Sequence, residues 1–475
     1  MTDSGSTNAA SVPMCHGSMS ELFSIAVPLM ISAGTQSLMN AADRIIVAGC
    51  SEASLAAITP ASMLHWTAVC IPVGTILYAN TFIAQYDGAG RPERMNASLW
   101  QAIWLAVFSG LILLLCLPFS RSLLALSGHS AEIVELEAQY FNTLCAGNPV
   151  QLLATALSCY FSGRRRTSVV MIVSMSAVAF NFGLDYLLVY GVGPFPELGL
   201  RGAALATVLA RCGEVLVYLV LIQADVRRKS LQLWSAWRPD VKLLKKYLRF
   251  GVPSGMHHFL DNSGFTMFLL IVGNLSSRDL AATNLAFSVN GLIFVPLLGF
   301  GTAIQTLVGH HIGAGLMDAA RRTTWNAALL GVLWTGVTGL MLVAFPNVAL
   351  RPFFLFAGES GVDADSLARA ASTLLMFVAV YSVFDALAVV FASSLRGAGD
   401  TTFPMLITLL SSWLVMVVPA ALILRLESPT VTMLWLTCAA NIGLTGTSMF
   451  LRWLSGKWKL IRLVEDPQVT RPVGD

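Results

Sequence analysis

Four aspartates, Asp43, Asp185, Asp261 and Asp385, stand in apolar stretches where a charge is costly to keep. A charged Asp at the centre of a membrane helix costs about 2.5–3.5 kcal/mol on insertion scales. Burial disfavours the ionised form, so a carboxylate placed there is suited to exchanging a proton or a cation. Each has polar company at helical spacing. Ser32, Gln36, Asn40 and Asp43 follow at steps of 4, 4 and 3 and form one stripe, with Pro28 a turn before Ser32. A proline there frees a backbone carbonyl and offers a bend. Because Arg44 follows Asp43 near the end of its stretch, Asp43 also reads as a helix cap. Ser174, Asn181 and Asp185 share a face, as do Thr207, Arg211 and Glu214, where Arg211 and Glu214 read as a structural ion pair. In the second half, Ser254, His258 and Asp261 share a face beside His257, and Tyr381 lies one turn before Asp385. Histidines titrate near neutral pH, but the plainer reading makes His257 and His258 bystanders and His310 and His311 interfacial residues at a loop edge.

Holding such residues at depth takes long apolar helices, and the composition supplies them. The 475 residues are 56% apolar and 12% charged, with a mean hydropathy of +0.70. Soluble domains carry roughly 25% charge, so a water-soluble globule is excluded. A spanning helix needs ~20 mostly apolar residues. Such runs recur near 21–42, 58–82, 98–118, 137–160, 168–190, 200–222, 247–272, 284–308, 324–345, 370–392, 402–424 and 431–454. The expected fold class is an all-α membrane protein of twelve transmembrane helices. Residues 1–19 lack the basic start and apolar core of a cleaved signal. Lys and Arg divide 21 to 7 between the two sides, which predicts both termini and the long middle loop in the cytoplasm. Arg211 is the one arginine expected within a span. The eight cysteines are scattered without a C-x-x-C and read as apolar filler. No G-x-x-x-x-G-K-[ST] phosphate loop occurs, so pumping must draw on an ion gradient.

Three segment pairs match at an offset of 225 residues: AVPLMISAG at 26–34 with GVPSGMHHF at 251–259, SLAAITPAS at 54–62 with DLAATNLAF at 279–287, and TFIAQYDGAG at 81–90 with TLVGHHIGAG at 306–315. A fourth, YFSGRRRTSVVMIV at 160–173 with SLRGAGDTTFPMLI at 394–407, matches at 234. The chain therefore reads as a cytoplasmic tail (1–19), a six-helix lobe (20–222), a basic linker (223–246), a second six-helix lobe (247–456) and a cytoplasmic tail (457–475). Six is even, so both halves enter from the same side and are related by an axis along the membrane normal. Internal repeats with a site between or within them are an arrangement of secondary transporters.

These positions also resemble a family pattern. The chain is similar to the MATE (multidrug and toxic compound extrusion) transporters over about 20–456, through AADRIIVAG, the GAG loops at 88–90 and 313–315, NFGLDYLLVYG, GLRGAALAT and FDALAVVFASSLRGAGDTTFPM. The resemblance implies two pseudo-symmetric six-helix bundles around a central cleft. It implies export of organic, often cationic or amphipathic compounds in exchange for H+ or Na+ by alternating access. Carried over by position, Asp43, Gln36, Asn181, Asp185 and Thr207 match the amino-terminal-lobe proton or cation cluster, with Pro28 at its bend. Asp261, Tyr381 and Asp385 match the carboxy-terminal-lobe cluster of the NorM-like branch, where Glu is commoner at the position of Asp261. Either cluster could couple. The implied setting is the bacterial inner membrane, with the chain working as a monomer, no cofactor, no nucleic-acid partner, and no metal beyond a Na+ at the aspartates.

Two other readings compete. Gly397-Ala398-Gly399-Asp400 with Tyr86-Asp87 resembles the signature of intramembrane aspartyl proteases, but both aspartates are expected in short loops beside Arg91 and Arg396. Flippases for lipid-linked sugars share the superfamily, yet carry more cavity arginine than the acid-lined spans here suggest.

Overall fold

The computed structural model describes residues 16–125, 128–229, 233–355, 364–461 and 463–464, and among them it contains helices and turns but no strand. Twelve helical rods follow in chain order: α1 (Met19–Ala48), α2 (Glu52–Leu77, resumed as Ala79–Gly88), α3 (Pro92–Leu113, prolonged to Ala125), α4 (Ala131–Ala146 and Asn148–Gly163), α5 (Thr167–Tyr190) and α6 (Gly199–Lys229). The second set is α7 (Val241–Gly273), α8 (Ser277–Gly313), α9 (Met317–Ala344, then Pro346–Leu355), α10 (Ala364–Ala398), α11 (Thr402–Ile423) and α12 (Val431–Leu454). Ten of these are long and apolar enough to cross a membrane. The two that fall short do so for visible reasons. A break at Gly147 divides α4 into two 16-residue pieces, and the middle of α7 carries His257, His258, Asp261 and Asn262.

The packing scheme repeats between the halves. In the first, α1 lies on α5, α4 on α3 and α6, and α5 on α6; in the second, α7 lies on α11, α10 on α9 and α12, and α11 on α12. The halves meet where α1 crosses α8 and where α2 crosses α7, which are equivalent contacts under the repeat. Side chains there answer one another. Asn80 donates to Thr306 at 2.7 Å, and Gln305 donates to Thr81 at 2.6 Å. A Cβ on Gly88 would stand 2.1 Å from the carbonyl oxygen of His310, and one on Gly313 would stand 2.0 Å from that of Gln85. Both glycines are required by the approach of backbone to backbone. The same reciprocity joins Gly74 to Gly255 and Gly299 to Met30.

Around this seam one continuous apolar core includes residues of both lobes, among them Leu22, Phe82, Tyr247, Ile304 and Phe391. Phe82 and Tyr247 stack across it at 5.3 Å. At the opposite end the core splits into two, one around Ile46, Phe141 and Val189 and the other around Phe268, Tyr381 and Trp435. The lobes are thus fused at one end and separate at the other. The start of α1 and the segment after α12 lie at the fused end. Gly17 packs on Ala319 at the start of α9, and Ile461 and Leu463 cover Gly399 in the α10–α11 turn. The linker folds back onto α3, where Trp100 and Trp104 donate to the carbonyls of Leu233 and Trp237.

Two expectations are corrected here. His310 and His311 are buried in the seam, at 9% and 0% exposure, because α8 continues to Gly313 and α1 and α2 cover its last turn. Arg396, expected in a loop, belongs to α10; its Nη2 reaches Ser393 at 3.1 Å while Nε and Nη1 are buried without a partner. A short loop between tightly packed helices need not be a wet one.

Candidate functional site

The lobe formed by α1–α6 encloses a cavity of about 610 Å³, within the range that holds a drug-sized ligand. Its wall is mixed: Met39, Ile58, Trp66 and Leu144 supply apolar surface, and Asp43, Arg211 and Glu214 supply charge. Asp43 lies on α1, 13 residues beyond the seam contact at Met30, or about 20 Å along the helix. The cap reading of Asp43 fails, because α1 runs on to Ala48 and the carboxyl is buried at 3% exposure.

Three helices converge on it. The Thr207 hydroxyl on α6 lies 3.3 Å from Asp43 Oδ2. On α5, Asn181 and Asp185 are both fully buried, one turn apart. With its amide nitrogen turned toward the acids, as the surrounding acceptors require, Asn181 donates to Asp185 Oδ2 at 3.2 Å and Asp43 Oδ1 at 3.3 Å. The one amide thus joins both carboxyls, and Asp185 Oδ1 is buried without a partner. Two buried carboxyls joined in this way have the chemistry to take up a proton or a cation.

Gln36 stands apart from this group. Its carbonyl accepts from Arg211 and its amide donates to Asn40 at 3.2 Å. The Arg211–Glu214 pair forms as expected, at 2.8 Å, so Gln36 belongs with it and not with the aspartates. Pro28 is buried within an unbroken α1, and Ser32 ties α1 to Ser174 of α5 at 2.9 Å. His65, hydrogen-bonded to Asn148 at 2.8 Å, and Gln151 also line the cavity; sequence reasoning passed over both. A lone polar residue in each apolar run was the available signal.

The second cluster is looser. Asp261 and Asp385 are half-buried and, among the described residues, make no hydrogen bond or ion pair. Tyr381 is one turn from Asp385, yet its buried hydroxyl has no partner and its ring stacks on Trp435 at 6.4 Å. His257 is held by Thr408 at 2.9 Å. The repeat does not duplicate the acids. At an offset of 225, Asp43 corresponds to Phe268 and Asp261 to Gln36; at 234, Asp385 corresponds to Gln151. Each lobe puts acids where the other has neutral residues. The protease spelling is occupied otherwise: Asp400 accepts from Arg452 at 2.7 Å, and Asp87 sits 3.6 Å from His310 and 3.9 Å from Arg164.

The MatE family model matches residues 28–187 and again 253–422, two copies that begin 225 residues apart. The chain belongs to the MatE family. Relatives include multidrug resistance protein PmpM of Pseudomonas aeruginosa, 28% identical over 421 residues, which cover 86% of this chain and 85% of that one. Multidrug resistance protein MdtK of Pectobacterium atrosepticum is 26% identical over 438 residues, 91% and 93% of the two chains. Among solved structures, an outward-facing multidrug resistance MATE family transporter of the MOP superfamily superposes with a TM-score of 0.83 at 20% identity, covering 94% of this chain and 96% of its own. That likeness establishes the twelve-helix, two-bundle fold.

Proposed function

We propose that this MatE-family chain is a multidrug efflux antiporter, exporting amphipathic organic cations in exchange for protons through the Asp43–Asn181–Asp185 cluster. The observation that carries the reading is the pair of buried carboxyls bridged by one amide. Asn181 can give one N–H to each acid, and two buried carboxyls sharing one amide are suited to holding a proton. Uptake of a proton from the open end removes a negative charge from the cavity wall. At about 4 Å and an effective dielectric of ~20, that charge attracts a cationic substrate by roughly 4 kcal/mol. Losing it favours release. Reorientation of the lobes delivers the proton to the other side, and the recharged pair binds substrate again. The ion need only prefer one conformation over the other to drive the cycle.

The excess of Lys and Arg on one side supports a cytoplasmic position for the fused end and both termini in a bacterial cell, with the cleft opening outward. The cavity and both acid clusters lie within one chain, so a monomer suffices. Asp261 and Asp385, half-buried in the second lobe without a hydrogen bond or ion pair among the described residues, would add attraction for a cation there. Besides Arg211, Arg396 brings a second arginine between the lobes, yet the buried acids still favour cations over the pyrophosphate of a flippase substrate.

The test is transport of a fluorescent organic cation in proteoliposomes, with a pH gradient and a Na+ gradient imposed separately. Asp43→Asn and Asp185→Asn should abolish proton-driven export while leaving the protein in the membrane. Export driven equally by Na+ alone, or unchanged in both variants, would refute the assignment.

A further inference from the structure

The fused end holds a second group of ionisable side chains, remote from the aspartates. Glu21, in the first turn of α1, is 3% exposed. The Gly17 N–H donates to its Oε2 at 2.7 Å, and Arg165 donates to its Oε1 at 3.1 Å. His311, in the last turn of α8, is fully buried and places Nε2 3.4 Å from the same Oε1, with no hydrogen bond. Its Nδ1 lies 3.3 Å from the Thr323 hydroxyl. The exposed ring of His16 stands edge-on to His311, with ring centroids 6.0 Å apart. One ligand atom from each of His16, Glu21 and His311 falls within 4.8 Å of the others.

A neutral His311 that donates from Nδ1 to Thr323 points the Nε2 lone pair at a carboxylate. Two electron-rich atoms then face each other in a buried place, and a cation between them resolves the conflict. Zinc bonded to nitrogen and oxygen at about 2.0–2.1 Å holds its ligand atoms roughly 3.4 Å apart in a tetrahedron. The His311–Glu21 separation is 3.4 Å. His16, itself exposed, lies just ahead of α1 and completes the set with a modest side-chain rotation. The outer partners also suit a metal: Thr323 meets the ring of His311, and Gly17 and Arg165 hold the carboxylate in orientation.

We propose that His16, Glu21 and His311 form a site for a zinc-class divalent cation, with the fourth position open to water. Two imidazoles and one carboxylate select Zn2+ or Co2+ over Mg2+ and Ca2+, which prefer oxygen alone. Glu21 belongs to the first lobe and His311 to the second, so the bound ion would clasp the seam shut.

The test uses tag-free, full-length protein in detergent, titrated with Zn2+ by calorimetry and with Co2+ by visible absorption. Wild-type protein should bind one ion per chain and melt at a higher temperature with Zn2+. His16→Ala, which alters only an exposed side chain, and His311→Ala should each weaken binding at least about tenfold. His310→Ala, beside the site but facing Asp87, should bind as wild type does. Absence of a stoichiometric site, equal affinity in His16→Ala, or equal stabilisation by Mg2+ would overturn the proposal, leaving a proton to bridge His311 and Glu21. None of these readouts depends on transport, so the result stands apart from that of the antiport experiment.

Discussion

Alanine at Gly88 or Gly313 should prise open the end of the molecule where the lobes are fused. The added Cβ atoms would lie 2.1 Å from the His310 carbonyl oxygen and 2.0 Å from that of Gln85, whereas ordinary contact begins near 3.4 Å. Each backbone must therefore retreat by about 1.3–1.4 Å, and neither obstacle is a side-chain tip that could swing away. Overpacking of this kind costs about 1–3 kcal/mol, and it is felt only while the seam is closed. At 1.4 kcal/mol per factor of ten, each substitution shifts the closed-to-open ratio by roughly 5- to 150-fold. The two sites adjoin, so the double variant should fall short of the sum. Spin labels at Glu93 and Asp318, exposed and equivalent under the repeat, would report the separation by pulsed electron resonance in nanodiscs, with the native cysteines replaced. Both single variants should populate longer distances. Gly336→Ala, whose Cβ meets nothing within 4 Å, should not. Wild-type distances in folded Gly88→Ala and Gly313→Ala protein would show that this contact does not hold the seam.

Two further outcomes follow from partners at the same end. Arg452→Ala strands the Asp400 carboxylate, which is 5% exposed, and should cost about 3–5 kcal/mol, read as a lower melting midpoint. Coupled export per folded molecule should persist, and its loss at unchanged stability would return Asp400 to the functional residues. Asn80→Ala removes the bonds to Thr306 and Ser162, whose hydroxyls keep the carbonyls of Thr302 and Ser158, and should cost about 0.5–1.5 kcal/mol per bond lost. Gln305→Ala, its counterpart under the repeat, should cost a similar amount by thermal melting, and a large disparity would break the symmetric account of the seam.

The spans and the repeat were legible because both are one-dimensional patterns: apolar length predicts a crossing, and a fixed offset predicts a second copy. The stripe bearing Asp43 and the face bearing Asn181 and Asp185 were legible for the same reason, since helical spacing fixes which side chains share a face. What spacing does not carry is the identity of the facing helix. Gln36 shares a stripe with Asp43, yet seven residues along α1 it meets Arg211 of α6. Tyr381 shares a face with Asp385, but its ring is captured by Trp435. His310, His311 and Arg396 escape a sequence reading because charge and proximity to a loop imply exposure, whereas all three are covered at the seam. At the seam, loop-adjacent turns of one lobe are covered by the other, a tertiary fact with no local signature.

The reciprocal contacts, Asn80 with Thr306 and Gln305 with Thr81, form the pattern of an isologous dimer, in which i meets j and j meets i. Here the pattern is written within a single polypeptide. In a true homodimer every substitution appears twice, so an acid introduced on one side of the axis is imposed on the other. Fusion removes that obligation. The seam can stay self-complementary while Asp43 stands opposite a phenylalanine in register and Asp261 opposite a glutamine. The covalent linker therefore does more than keep two bundles together. It lets a scaffold that closes by symmetry hold charge without it.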